Sequence, residues 1–298
     1  MATGVSWLNP LTWPIEPWVL LGVEVAAILY LKSPSPRSRG EGRGEGLRAL
    51  CFWLALASIL LALDTPVEYY ARTLFWVHMT QHLILIMVTA PLLVAASPWI
   101  QIWRGIPLRW RRPIARTVVK HRVFAFPRRV FAVIATPTAA WILSSFNLWL
   151  WHWPPMYDLT LRNHLVHHVE HGLFLGLGIL FWAQVIDQYP FHARLSAFKR
   201  AAYVFTATIQ SWALAALLAF ATSPFYAYAL LPFRPGGISA LTDQQYGAGM
   251  MWVPGSITYS IVFIVALYRW FQEEDARASA IDTSLPRLRG SVGEGAAK

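Results

Sequence analysis

The sequence predicts an all-α, polytopic membrane protein with seven transmembrane helices, its N-terminus outside and its C-terminus cytoplasmic, and three observations carry that reading. Of its 298 residues 56% are apolar and only 13% are charged, about half the charged share of a soluble domain. Several apolar runs approach or exceed the roughly 20 residues that cross a bilayer. The basic residues fall in alternate connections between those runs.

Taken in order, the spans are Ile15 to Leu31, Leu47 to Leu63, Thr73 to Ala96, Val130 to Trp151, His164 to Ile186, Ala201 to Ala221 and Gly249 to Trp270. The first two are short for a bilayer. Short cytoplasmic loops collect Lys and Arg. The segment Lys32 to Arg48, the connection Trp99 to Arg129, the connection holding Arg194, Lys199 and Arg200, and the tail together hold 22 of the 25 basic residues. Only Arg72, Arg162 and Arg234 lie in the other loops. That bias sets the orientation. Residues 1–272 form one helical domain, and residues 273–298, rich in Gly, Ser, Arg and Glu, are expected to be a disordered cytoplasmic tail.

The formal charge of +10 would suggest nucleic acid if it formed a patch on a folded surface. Spread between apolar runs it reads as topology, and no nucleic acid is expected. The connection Trp99 to Arg129 mixes Trp103, Trp110, Phe124 and Phe126 with its arginines; it reads as positive-inside retention or as a segment on the inner surface holding anionic headgroups. The stretch before the first apolar run has no Lys or Arg, so it lacks the basic region of a cleavable signal peptide, and the first helix is expected to remain. A single cysteine, Cys51, rules out an internal disulfide and any CxxC motif. Metal ligands would have to be His, Met, carboxylate or amide groups.

Polar groups inside a span are costly and mark function by default. The third span opens FWVHMTQH, with His78, Met79, Gln81 and His82 ahead of a long apolar run. His78 and His82, four apart, share a helix face. If the span runs inward from Thr73, they lie roughly 7 and 13 Å below its outer end. The fifth span begins NHLVHHVEH, and His167 and His171 lie roughly 6 and 12 Å below Asn163. Two i, i+4 histidine pairs thus sit at matching outer depths. At about 100° per residue, with His164 at zero, His168 falls near 40°, His171 near 340° and His167 near 300°, with Glu170 just outside that arc near 240°.

These rings are either hydrogen-bonded across helices and wetted at the interface, or ligands. Six of them on two helices favour a ligand site made of His78, His82, His167, His171, His168 and His164. Imidazole suits copper, zinc, iron and nickel, and thioethers from Met79, Met250 or Met251 would tilt the choice to Cu(I), although methionine is also a common core filler. His152, beside the turn WPPMYD, is an accessory ligand candidate. In LTDQQYGAGMMW, Asp243 reads as a ligand, as a partner orienting a histidine or as a helix N-cap. Gly247 and Gly249 would let another helix approach closely. Glu24, midway along the first span, is either a protonated hydrogen bonder or part of an ion path.

HMTQH with APLL and SP, then WPPMYD with NHLVHHVEH, then DQQYGAGMMW resemble the CtaG-type assembly factors of caa-three-type cytochrome c oxidase, over spans three to seven. The resemblance implies a seven-helix protein of the bacterial plasma (inner) membrane that is needed to make active haem-copper oxidase. By that resemblance it supplies copper to the catalytic subunit. The matching positions are His78, Met79, Gln81 and His82, then His167, Glu170 and His171, then Asp243, Gln244, Gly249 and Trp252.

The function expected is therefore a copper-binding assembly factor with no catalytic turnover. Cu(I) would arrive from the outer side from a periplasmic or extracellular donor, be held by His78, His82, His167 and His171, and pass to the oxidase by ligand exchange. Its other partner is the lipid bilayer. A haem-binding redox or haem-handling protein is the alternative, since paired histidines can ligate haem. A copper permease is a further one, although the spans below His82 and His171 are nearly all apolar.

Overall fold

The computed structural model describes residues 13–33, 42–188, 195–232 and 234–294, and its regular elements are helices. The chain starts with α1 (Pro17–Lys32), α2 (Gly42–Leu63) and the short α3 (Pro66–Ala71). Among the described residues, five helical stretches are long and apolar enough to cross a membrane: Gly44–Leu63, Phe75–Ala96, His164–Trp182, Ala197–Ala219 and Ala240–Ala280. A bent pair, Arg122–Ile134 with Pro137–His152, makes a sixth if it counts as one span. The chain is a polytopic membrane protein. At 16 residues, α1 is about 24 Å long, short of a bilayer's roughly 30 Å core. Its Glu24 lies on an exposed face.

The third span is not one regular helix. It consists of α4 (Phe75–Leu83), a π-helical stretch (Ile84–Thr89) and α5 (Ala90–Ala96). Pro91 explains the widening, because proline cannot donate to the carbonyl four residues back and its ring clashes with that carbonyl. Ala90 N–H reaches back to the Leu85 carbonyl, one residue further than in an α-helix. The carbonyls left without a backbone donor are served from elsewhere. Trp182 Nε1 donates to Ile86 O at 2.7 Å, and the Thr258 hydroxyl donates to Met87 O at 3.0 Å. In a membrane, where water cannot substitute, these two side chains make the π stretch tolerable.

After α5 the chain turns at Ser97, whose backbone is left-handed (φ 47°), into α6 (Trp99–Gly105), α7 (Leu108–Lys120) and α8 (Ala125–Ile134). Gly105 lies against the Leu29 backbone of α1, where any Cβ would overlap the Leu29 carbonyl. The expected continuous span from Val130 is corrected here. It breaks at Ala135 and Thr136, and α8 meets α9 (Pro137–His152) at 84°. The Thr-Pro step is the cause. The residue before proline avoids helical ψ, and Thr136 is extended and caps Ala139 N at 3.4 Å.

Next come α10 (Pro154–Arg162), α11 (His164–Trp182), α12 (Ala197–Ala219), α13 (Ala240–Trp252) and α14 (Pro254–Glu294). One apolar cluster joins Met87, Ala90 and Val94 to Phe181, Trp182, Val204 and Tyr259. A second joins Phe75, Met79, Tyr157, Leu214, Tyr226 and Tyr228 to Ala248 and Met251. Each draws on one half of the third span. Gly247 lets α13 close onto α4: a Cβ there would run into the Phe75 ring and come within 3.2 Å of Met79 Cγ. Gly249, expected to do the same, has open space.

That contrast can be tested. Gly247→Ala should lower the thermal unfolding midpoint of the detergent-purified protein by several degrees, the effect of about 1–3 kcal/mol of overpacking. Gly249→Ala should leave the midpoint unchanged or slightly raised, since alanine favours helix over glycine.

Candidate metal centre

Two caps set the helices that carry the site. Leu74, at the N-cap of α4, offers no side-chain acceptor. Asp243 supplies it from α13: Oδ2 accepts from Phe75 N at 2.9 Å and Oδ1 from Trp76 N at 3.0 Å. The carboxylate therefore satisfies first-turn N–H groups of a helix distant in sequence and complements its dipole. Of its three readings, Asp243 is a cap, and of another helix. Asn163 caps α11 by accepting from Leu165 N at 2.9 Å and Val166 N at 3.3 Å. Gln244 braces the same region, accepting from Phe225 N at 2.8 Å and donating to Leu218 O at 3.1 Å.

With both helices started there, α4 and α11 face each other through five side chains. Ring centroids lie 4.5 Å apart for His78 and His82, 5.0 Å for His78 and His167, 5.6 Å for His78 and His171, 5.3 Å for His82 and His171, and 4.2 Å for His167 and His171. Glu170 enters between them. Its Oε2 is 3.4 Å from His78 Nε2 and its Oε1 3.5 Å from His82 Nε2. One ligand atom each from His78, His167, Glu170 and His171 lies within 4.8 Å of the others. All four residues are buried.

The polar accounting of this cluster is incomplete. Among the described residues, both Glu170 oxygens, both His82 nitrogens, His78 Nε2 and His171 Nε2 are buried without a hydrogen-bond partner. Buried polar atoms are nearly always satisfied, and a buried carboxylate left unpaired is costly. A cation at the centre would use these lone pairs, and imidazole with carboxylate is a donor set that zinc, copper, iron and nickel accept. The residues fit a metal ion.

Surrounding groups orient the ligands. The Tyr157 hydroxyl lies 2.9 Å and the Tyr228 hydroxyl 3.4 Å from His78 Nδ1, leaving Nε2 for the centre, a familiar outer-shell arrangement. Tyr228 donates to the Ala71 carbonyl. Glu68 stands behind His167, with Oε1 3.8 Å from its Nδ1, and is held by Gln81 Nε2 at 2.7 Å and Arg72 Nη2 at 3.0 Å. Burial pushes the Glu68 carboxyl above its ordinary range, against the downward pull of Gln81 and Arg72. A cavity of about 170 Å³ reaches the cluster between Glu16, Glu68, His167, His168 and His171.

The structure thus brings together His78, His82, His167, His171 and Glu170, and leaves others out. His164 faces Arg72, Nε2 to Nη1 2.8 Å, and His168 faces Glu16, Nε2 to Oε2 3.2 Å. The arc that points inward is displaced toward Glu170, so the rings at its far edge turn to the surface. Gln81 holds Glu68 and the Ala62 carbonyl at 2.8 Å and does not enter the cluster. Met79 and His152 meet each other beside it, Sδ to Nε2 3.2 Å. Glu68, Glu16, Arg72, Tyr157 and Tyr228 are not legible as site residues in the sequence. Its one signal for them is a carboxylate and an arginine four apart in the connection after the second span.

Fold and site together define a multi-pass helical membrane protein with a buried three-histidine, one-glutamate group able to hold a metal ion. The chain matches the cytochrome c oxidase caa3 assembly factor family over residues 29–273, and it belongs to that family. Its curated relatives include an uncharacterised protein of Mycobacterium bovis, 25% identical over 251 residues that make 82% of this chain and 37% of the relative. Another is an uncharacterised protein of Mycobacterium leprae, 23% identical over 245 residues, 80% of this chain and 36% of the relative. The chain spans little more than a third of the length of these relatives. No solved structure matches it.

Because Asp243 acts through α4, Asp243→Ala should cost about 0.5–2 kcal/mol of stability, the usual worth of an N-cap. Asp243→Asn, which keeps one acceptor oxygen, should recover part of it. Thermal unfolding of the three purified proteins measures both effects.

Proposed function

We propose that this protein is a copper-binding assembly factor that receives copper on the outer side of the bacterial plasma membrane and passes it to the catalytic subunit of a haem-copper oxidase. The observation that carries the reading is the unsatisfied donor set between α4 and α11 in a chain of an oxidase assembly family. The ion is cargo. It enters along the cavity beside Glu68 and His167, binds among His78, His82, His167, His171 and Glu170, and leaves by ligand exchange. A site with more candidate ligands than one small ion needs favours such exchange, because one imidazole can let go while another holds. No nucleophile or proton-transfer chemistry is invoked, and the protein is not an enzyme.

The topology belongs to the same proposal. With α1 counted as a tilted or locally thinned span, the chain crosses seven times. The concentration of 22 of its 25 Lys and Arg residues in alternate connections supports an N-terminus and histidine cluster outside and a C-terminus in the cytoplasm. Ring separations of 4.2–5.6 Å within the cluster speak against haem. A porphyrin held between two axial imidazoles needs their centroids roughly 6 Å apart with a clear slot between them.

Metal analysis with visible spectroscopy tests the reading. The purified protein should carry stoichiometric copper and no Soret band. The fourfold variant His78→Ala, His82→Ala, His167→Ala, His171→Ala should lose the metal, whereas His164→Ala with His168→Ala should keep it. An unchanged load in the fourfold variant, or a strong Soret band in the parent, would overturn the proposal.

A further inference from the structure

Beside the histidine cluster the structure contains a contact that a neutral imidazole cannot satisfy by hydrogen bonding. His152, at the end of α9, is buried, and its Nδ1 lies 2.8 Å from the Leu148 carbonyl oxygen. A carbonyl only accepts, so in neutral imidazole Nδ1 carries the proton and Nε2 carries the lone pair. That Nε2 lies 3.2 Å from Met79 Sδ, and a thioether has no proton to offer. Two acceptors therefore face each other between two buried side chains. Moving the proton to Nε2 would only transfer the conflict to the Leu148 carbonyl.

A soft cation resolves the conflict at either lone pair. Metal–nitrogen bonds of about 2.0 Å and metal–sulfur bonds of about 2.3 Å bring the two donor atoms roughly 3.2–3.5 Å apart at bond angles near 95–110°. The third donor is already present. His82 has two unpartnered buried nitrogens, and its ring centroid is 6.4 Å from that of His152, close to the separation of about 6 Å for two imidazoles binding one ion from nearly opposite sides. There is room too, since a cavity of about 60 Å³ lined by Met79, His82, Asn147, His152, Phe174 and Met251 opens beside the three donors. That exceeds the roughly 10–15 Å³ a single water needs.

We propose that His82, His152 and Met79 form a second metal site, beside the first and selective for Cu(I). The proposal rests on the reading of this chain as a copper carrier and deepens it. The first group offers nitrogen and carboxylate oxygen, which zinc accepts as readily as copper. The second adds a thioether, a ligand that selects Cu(I). His82 belongs to both, its Nε2 facing Glu170 at 3.5 Å, so an ion can move between the sites by exchanging ligands around one ring. The second site is where copper is told apart from zinc.

The test compares uptake of Cu(I) alone, under anaerobic conditions, with uptake of Zn(II) alone by the full-length protein in detergent, and adds copper-edge X-ray absorption to detect sulfur. The parent protein should bind two Cu(I), one with a sulfur neighbour, and one Zn(II). Met79→Leu, close to isosteric, should drop to one Cu(I), lose the sulfur signal and keep its Zn(II). His152→Gln should do the same if leucine proves too poor a fit beside Gly247. The triple variant His78→Ala, His167→Ala, His171→Ala should lose Zn(II) and retain one sulfur-bound Cu(I). One Cu(I) without sulfur in the parent, or two in Met79→Leu, would overturn the second site and leave the first intact. A parent that binds no Cu(I) would overturn both.

Discussion

Everything at the histidine end depends on burying Glu170. Its carboxylate is fully buried, with His78 Nε2 3.4 Å and His82 Nε2 3.5 Å from its oxygens, in surroundings where an uncompensated charge is far more costly than in water. Both of its oxygens are buried without a hydrogen-bond partner among the described residues. A half-satisfied polar network is worse than an apolar core, so these groups are suited to a ligand that would complete them. A cation would do so for the carboxylate and the rings together, and the cluster is one that could hold a metal ion.

Holding five such side chains against each other requires rigid supports, and they come from distant parts of the chain. Asp243 starts α4, Asn163 starts α11, and Glu68 with Gln81 backs His167. Immediately below, Pro91 forces the π stretch, and the orphaned carbonyls are taken by Trp182 from α11 and Thr258 from α14. The irregularity that Pro91 imposes therefore locks the span bearing His78 and His82 to the helix bearing His167 and His171. π-helical turns are frequent at functional sites, and here the physical connection can be traced bond by bond.

Hydropathy and charge in the sequence point to a helical membrane protein, and i, i+4 spacing points to His78 with His82 and to His167 with His171. Other features escape such a reading for physical reasons. The bend before α9 is written in the Thr-Pro step but hidden by the continuous apolar character of Val130 to Trp151. Asp243 looks local because its own helix begins beside it, yet its oxygens bond another helix. Glu68 carries no periodic signal at all, since it lies on a six-residue helix in a connection. Its importance comes from burial against His167.

The sequence by itself determined the class of protein, the helices that carry the histidines and the relative angles of side chains around each helix, because hydrophobicity and 3.6-residue periodicity are local properties. Only the tertiary structure decided which arc of α11 faces α4. Periodicity sets angles within a helix and leaves its rotation about its own axis free. Packing against α4 and α10, with His164 and His168 drawn outward by Arg72 and Glu16, turned that face toward Glu170 and brought a glutamate into the middle of the histidines.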